Sequence, residues 1–145
     1  MSNAIRSIIE DKVSAYFQSV FTGPDFVSVH KGITDETRTL PIIIVYADSA
    51  RPDPALGANP LGNYRVALKV FVYTSADDES LETHRARVDA VHALMADLPA
   101  LQAYWGPNDG QLYAAWIVGD DEGMSQRRYG NAIEFVCVAC LPPEV

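Results

Sequence analysis

Cys137 and Cys140 stand in a Cys-x-x-Cys spacing, the arrangement used for thiol redox chemistry or for half of a structural zinc site. Their context argues against both. They fall in a predicted strand, where residues three apart point to opposite faces. A redox pair sits at a helix N-terminus, and zinc would need two further ligands for which the sequence offers no second pair. They read as packing cysteines. His84 and His92 lie on a predicted helix eight residues apart, whereas a two-ligand helix site needs a spacing of about three or four. They read as core-edge histidines with hydrogen-bonded ring nitrogens, a pH-sensitive contact being the sharper alternative. His30 has nothing near it in sequence to make it a base. Two acidic clusters, Asp77-Asp78-Glu79 and Asp120-Asp121-Glu122, lack the Gly-spaced pattern of a calcium loop. Helix capping accounts for the first. For the second, a solvated hairpin tip competes with a docking role in which Asp120–Glu122, Arg127 and Arg128 meet a partner's opposite charges. No nucleophile elbow, phosphate-cradling glycine loop or dinucleotide fingerprint is present, and neither Ser75 nor Ser125 has the context of a nucleophile. The sequence predicts no catalytic residue, cofactor or metal.

Composition narrows the classes further. The 145 residues suit one domain (1–145) with a sizeable core. A formal net charge of −8 excludes a broad basic surface for nucleic acid. The aromatic stretch at Tyr104, Trp105 and Tyr113–Trp116 therefore reads as core or subunit interface rather than a base-stacking platform. No apolar run approaches the roughly 18 residues that span a bilayer. The start, MSNAIRSIIEDKV, lacks the pattern of a signal peptide, so a cytoplasmic location is expected.

The elements that would position these residues are well patterned. Ser2 can cap a first helix to about Val20, with Ile5, Ile8, Ile9, Val13, Tyr16, Phe17 and Val20 on one face. Phe26–His30 is a short strand candidate. Leu40–Ala47 is a stronger one, apolar enough for burial on both faces. The prolines and glycines of Asp48–Gly62 predict a projecting arm. Tyr64–Tyr73 alternates cleanly, with Tyr64, Val66, Leu68, Val70 and Val72 on one face, and spans roughly 33 Å. Ser75 or Asp77 would cap a second helix with the stripe Leu81, Val88, Val91, Met95 and Leu98, ended by Pro99, and a short helical or irregular piece holds Leu101–Trp105. A closing hairpin pairs Gln111–Val118 with Ala132–Leu141 through the loop Gly119–Asn131. The order α-β-β-β-α-β-β predicts an α+β fold, a mainly antiparallel sheet with two helices packed on it.

This pattern resembles the tail terminator and minor tail protein family of long-tailed bacteriophages. The resemblance rests on the N-terminal helix IRSIIEDKVSAYFQSV, the buried strand LPIIIVYADSARP, the strand–turn–helix YRVALKVFVYTSADDESLETHRARVDAVHALM and the closing AIEFVCVAC. It covers nearly the whole chain and implies a non-enzymatic virion protein. Such a protein is assembled in the host cytoplasm into a ring, commonly of six subunits, at the head-proximal end of the tail tube. It ends tube polymerisation, and it meets the tube protein on one side and the neck or head–tail connector on the other, while DNA passes through its lumen. A neck connector of similar fold, and a small cytoplasmic α+β enzyme or ligand-binding domain, are the alternatives. On the ring reading, Arg51, Pro52, Asp53, Pro54, Asn59 and Pro60 of the arm, with Arg127 and Arg128, are candidate subunit contacts. Asp77, Asp78, Glu79, Asp120, Asp121 and Glu122 are candidate lumen residues, where negative charge would let DNA slide. Deleting Pro52–Pro60 is expected to leave a folded subunit that does not assemble.

Overall fold

The computed structural model describes residues 2–21, 28–32, 40–53, 62–105 and 110–140. The elements run α1 (Ser2–Val20), β1 (Ser28–Lys31), β2 (Ile42–Pro52), β3 (Asn63–Ser75), α2 (Leu81–Ala96), α3 (Leu98–Trp105), β4 (Gln111–Ser125) and β5 (Arg128–Cys140). The strands form a five-stranded sheet in the order β1-β2-β3-β5-β4. β1 runs parallel to β2 and every other neighbour is antiparallel. The fold is α+β in the expected element order, with the expected short piece forming a third helix.

The core is one layer between helices and sheet. The even-numbered residues of β3, Tyr64 to Val72, are all buried, as their alternation requires. They pack with Ile43, Val45 and Ala47 of β2 and Ile133, Phe135, Cys137 and Ala139 of β5. Ile5, Ile9, Val13, Tyr16 and Phe17 of α1 cover this layer, joined by Val88, Val91 and Met95 of α2 and Leu101 and Trp105 of α3. All three helices thus share one face of the sheet. Val20, expected on the apolar face of α1, is 48% exposed at the helix's last residue.

Four boundaries differ from the sequence expectation. Asp48–Pro52 is not the start of an arm: it continues β2, pairing in register from Ser49↔Ala67 to Pro52↔Tyr64 after a bulge at Asp48. Pro52 is tolerated because β1 covers only Ile42–Val45, leaving this stretch an edge. Gly119–Ser125 and Arg128–Asn131 are strand rather than loop, so the hairpin closes in a two-residue turn at Gln126 and Arg127, both with positive φ (51° and 61°). The N-cap of α2 is Ser80, whose Oγ accepts from the Thr83 N–H at 3.1 Å, not Ser75 or Asp77. Pro99 sits in the first turn of α3, where its missing N–H costs nothing.

The exposed edge of β2 is closed by α1. Ala47 presents its carbonyl and N–H outward beyond β1. Arg6 donates to that carbonyl through Nε (3.0 Å) and Nη2 (2.8 Å), and Glu10 accepts the N–H at 2.7 Å. Residues four apart on a helix lie one above the other, which lets this pair imitate a neighbouring strand.

Candidate functional site

The chemistry-bearing residues gather at two opposite ends of the sheet. One end is the hairpin tip, the acidic turn after β3 and the outer face of α2. The other is the β2–β3 connection and the start of β4. Nine residues of β3 separate Tyr64 from Tyr73, roughly 30 Å at about 3.3 Å per residue.

At the hairpin end the sequence-predicted acids come together, and most are neutralised within the chain. Asp120 and Glu122 alternate with Asp121 along β4, so the first two face α2 and the third faces the opposite side. Glu122 receives a bidentate pair from Arg85, with Nε at 2.9 Å and Nη2 at 2.8 Å. That hydrogen bonding holds the Glu122 carboxyl below the usual carboxylate range and raises Arg85 above its ordinary value. Asp120 accepts from His92 at 2.9 Å. Glu79 pairs with Arg87, with Nη2 at 2.9 Å from Oε1, and its carboxyl is likewise lowered by the guanidinium. Asp77 lies 3.9 Å from Arg127. Asp78 and Asp121 have no cationic partner among the described residues. Arg128 lies with its guanidinium 5.2 Å from the Tyr73 ring centroid and donates to Gln126 at 2.9 Å.

Behind these pairs runs a buried polar chain. His84 is fully buried, its Nδ1 2.9 Å from Thr74 Oγ1 and its Nε2 2.6 Å from Asn131 Oδ1. Asn131 donates from Nδ2 to Asp120 at 2.7 Å, so its oxygen is left to accept. His84 Nε2 must therefore carry the proton, and in the neutral ring Nδ1 accepts from the Thr74 hydroxyl. Arg87 donates to that hydroxyl at 3.4 Å. The donors run one way: Arg87 to Thr74 to His84 to Asn131 to Asp120. The chain ties α2 to β3, β5 and β4. Nothing in it presents a nucleophile or an open coordination position, and its role is to fix the hairpin against the helix.

At the other end, Arg51 and Pro52 are exposed on β2, paired with Arg65 and Tyr64 of β3. Asp53 donates its N–H to the Asn63 carbonyl at 2.8 Å and accepts from Arg65 at 3.3 Å. Arg65 also lies 5.3 Å over the Trp116 ring, and Trp116 is 40% exposed. Pro54, Asn59 and Pro60 lie outside the described residues.

The cysteines are free and buried, on opposite faces of β5 as the spacing requires, and burial pushes the Cys137 thiol up. Among the described residues no three His, Cys, Asp or Glu side chains gather as a metal site, and no helix is long and apolar enough to cross a membrane. Sequence reasoning missed Arg85, Arg87, Thr74 and Asn131. The two arginines carried one usable signal, two cations on the helix beside the acidic turn in an otherwise acidic chain. Thr74 and Asn131 carried none, because only the strand register brings them to His84.

No family model matches the sequence, and no curated protein matches it. Solved structures do. A chain from the virion of a native gene transfer agent particle superposes with a TM-score of 0.64 over 98% of this chain and 100% of its own, at 14% identity. A second solved chain, 17% identical, covers 98% of this chain and 97% of its own with a TM-score of 0.50. At such identities the likeness is one of fold.

Proposed function

We propose that the chain is a non-enzymatic structural component of a phage-like particle. Its more specific role is that of a tail terminator: a ring, six copies in the simplest form, seated on the head-proximal end of the tail tube. There it stops tube growth and offers its other side to the neck. The observation that carries this reading is the end-to-end match in fold with a gene transfer agent virion protein, in which both chains are covered almost completely. A ring subunit needs two different surfaces that meet head to tail. The candidate contact residues supply them at opposite ends of the sheet, Arg51 to Asp53 at one and Arg127 with Arg128 at the other. The site itself argues for assembly, since its polar groups are spent on holding the hairpin to α2.

The lumen proposal narrows. Asp77, Glu79, Asp120 and Glu122 face cations or histidine of their own chain. Asp78 and Asp121 remain as the candidates for a negative lumen, together with the net charge of −8. The test is genetic and visual. Particles produced without this chain should show tails of uncontrolled length that fail to join heads. Tails of normal length, joined to filled heads, would refute the assignment.

A further inference from the structure

The helices cover one face of the sheet, and the residues of β3 that alternate with the buried ones point to the other. Arg65, Ala67 and Lys69 make a line there: cation, small residue, cation. The register sets Arg51 of β2 directly opposite Arg65, Val136 of β5 opposite Ala67, and Trp116 of β4 opposite Val136. Like charges directly opposite on a sheet are unfavourable. Arg65 rests on the Trp116 ring and reaches Asp53. Arg51 is exposed and Lys69 half-buried, and neither makes an ion pair among the described residues, although Glu134 stands opposite Lys69. The chain holds 11 Lys and Arg against 19 Asp and Glu, so three cations gathered on one patch stand out, and pairing within the chain does not account for them.

The complementary pattern lies on the other side of the molecule. Glu82, Ala86 and Asp89 share the outer face of α2, because residues at i, i+4 and i+7 line one side of a helix. All three are exposed. Glu82 and Asp89 make no ion pair among the described residues, whereas Arg85 and Arg87 are engaged by Glu122 and Glu79. This line reads acid, small residue, acid. Its acids are about 10.5 Å apart at about 1.5 Å per helical residue. Arg65 and Lys69 are roughly 13 Å apart at about 3.3 Å per strand residue. The flexible stems of Arg and Lys take up the difference. Ala86 set against Ala67 lets helix and sheet approach closely. Since α2 packs on the far face of the sheet, the two lines of one copy cannot meet.

We propose that the cationic line Arg65–Ala67–Lys69 of one copy, with Arg51 beside it, seats the acidic line Glu82–Ala86–Asp89 of the next copy. This rests on the ring reading and names its contact: a heterologous one, sheet face to helix face, which closes into a ring by rotation. A nucleic-acid backbone suits the patch less well, given the net charge of −8 and Glu134 beside Lys69.

The test is a paramagnetic one. Cys137 and Cys140 are buried, so a spin label attached at Ala93→Cys, on α2 just past Asp89, reports from that helix alone. Labelled copies are mixed at millimolar concentration with isotope-labelled copies of the full chain, and NMR line broadening is read on the latter. Expected is broadening at Arg51, Arg65, Ala67, Lys69 and Val136. Arg65→Glu/Lys69→Glu in the observed copies should weaken the contact at least about tenfold, and Glu82→Lys/Asp89→Lys in the labelled copies should restore it. Unchanged spectral dispersion shows that the variants are folded. Absent broadening, broadening confined to other surfaces, or broadening indifferent to both reversals overturns the docking and leaves the ring reading standing. Short duplex DNA that shifts the same residues while labelled copies leave them sharp overturns it as well. Docking confirmed in a chain whose removal leaves tails of normal length joined to filled heads would sink the ring reading alone.

Discussion

Replacing Asn131 by Leu isolates the energetic role of the buried chain from Arg87 to Asp120. The two side chains are close in size, so the change removes polarity while leaving little cavity. His84 is fully buried and its Nε2–H would lose its acceptor, now at 2.6 Å. A stranded buried donor costs about 1–3 kcal/mol. Asp120 would also lose the Asn131 amide, a bond of 2.7 Å to a carboxylate that water can partly replace. The sum is about 2–4 kcal/mol, against a total stability of about 5–15 kcal/mol for a domain. Urea unfolding should therefore show a midpoint lower by roughly 1–2 M with an unchanged slope. Removing both partners in His84→Leu/Asn131→Leu should cost less than the sum of the single losses by at least about 1 kcal/mol. A loss under about 0.5 kcal/mol for Asn131→Leu, or strict additivity, would show that these residues do not act as one network.

Further expectations follow from neighbouring contacts. The Arg87 guanidinium holds the Glu79 carboxyl below its unfolded value, so the pair's contribution is whole above the ordinary glutamate range and is lost as pH falls through the folded value. Glu79→Gln should flatten the acid limb of a stability–pH curve by about 1 kcal/mol or less, and an unaltered limb would contradict the pairing. Cys137, buried with its thiol pushed up, should resist a thiol reagent in the native protein and react on unfolding; fast native labelling of Cys137 would refute its place in the core. Arg6→Met should cost about 1–2 kcal/mol by uncovering the Ala47 carbonyl, and raise aggregation in light scattering through the opened β2 edge. An equally stable, monodisperse variant would show that the edge needs no cover.

The core was readable because its physics is periodic. Alternation along Tyr64–Val72 buries Tyr64, Val66, Leu68, Val70 and Val72, and of the helical stripe Val88, Val91 and Met95 are buried, while Leu81 and Leu98, at the start of α2 and of α3, are only half-buried. The two ends were misread because local punctuation was weighed above pairing. Pro52 pairs with Tyr64 of β3 on one side and, among the described residues, has no strand on its outer side to need its missing N–H, so it marks the edge of β2 rather than the start of an arm. The hairpin turn is Gln126-Arg127, without the Asn or Gly that normally signals two positive φ values, so Gly119 and Gly123 drew the loop to themselves. The acidic run Asp120–Glu122 looked solvated, yet its alternate members face Arg85 and His92, which lie 37 and 28 residues away from their partners. His84 was legible as a hydrogen-bonded histidine at the helix face; its partners needed the register of β3 and β5. The trimmed arm also corrects the design of a deletion: removing 54–61 leaves β2 whole, whereas removing Pro52 onward would cut into it.

The proposed role is a position at the end of a tail tube, which gold-labelled antibody to this chain on intact particles would reveal under the electron microscope. A single cluster of label at the junction of head and tail is expected, with tubes otherwise bare. Label spread along the tube, on the capsid shell, or absent from purified particles would contradict it.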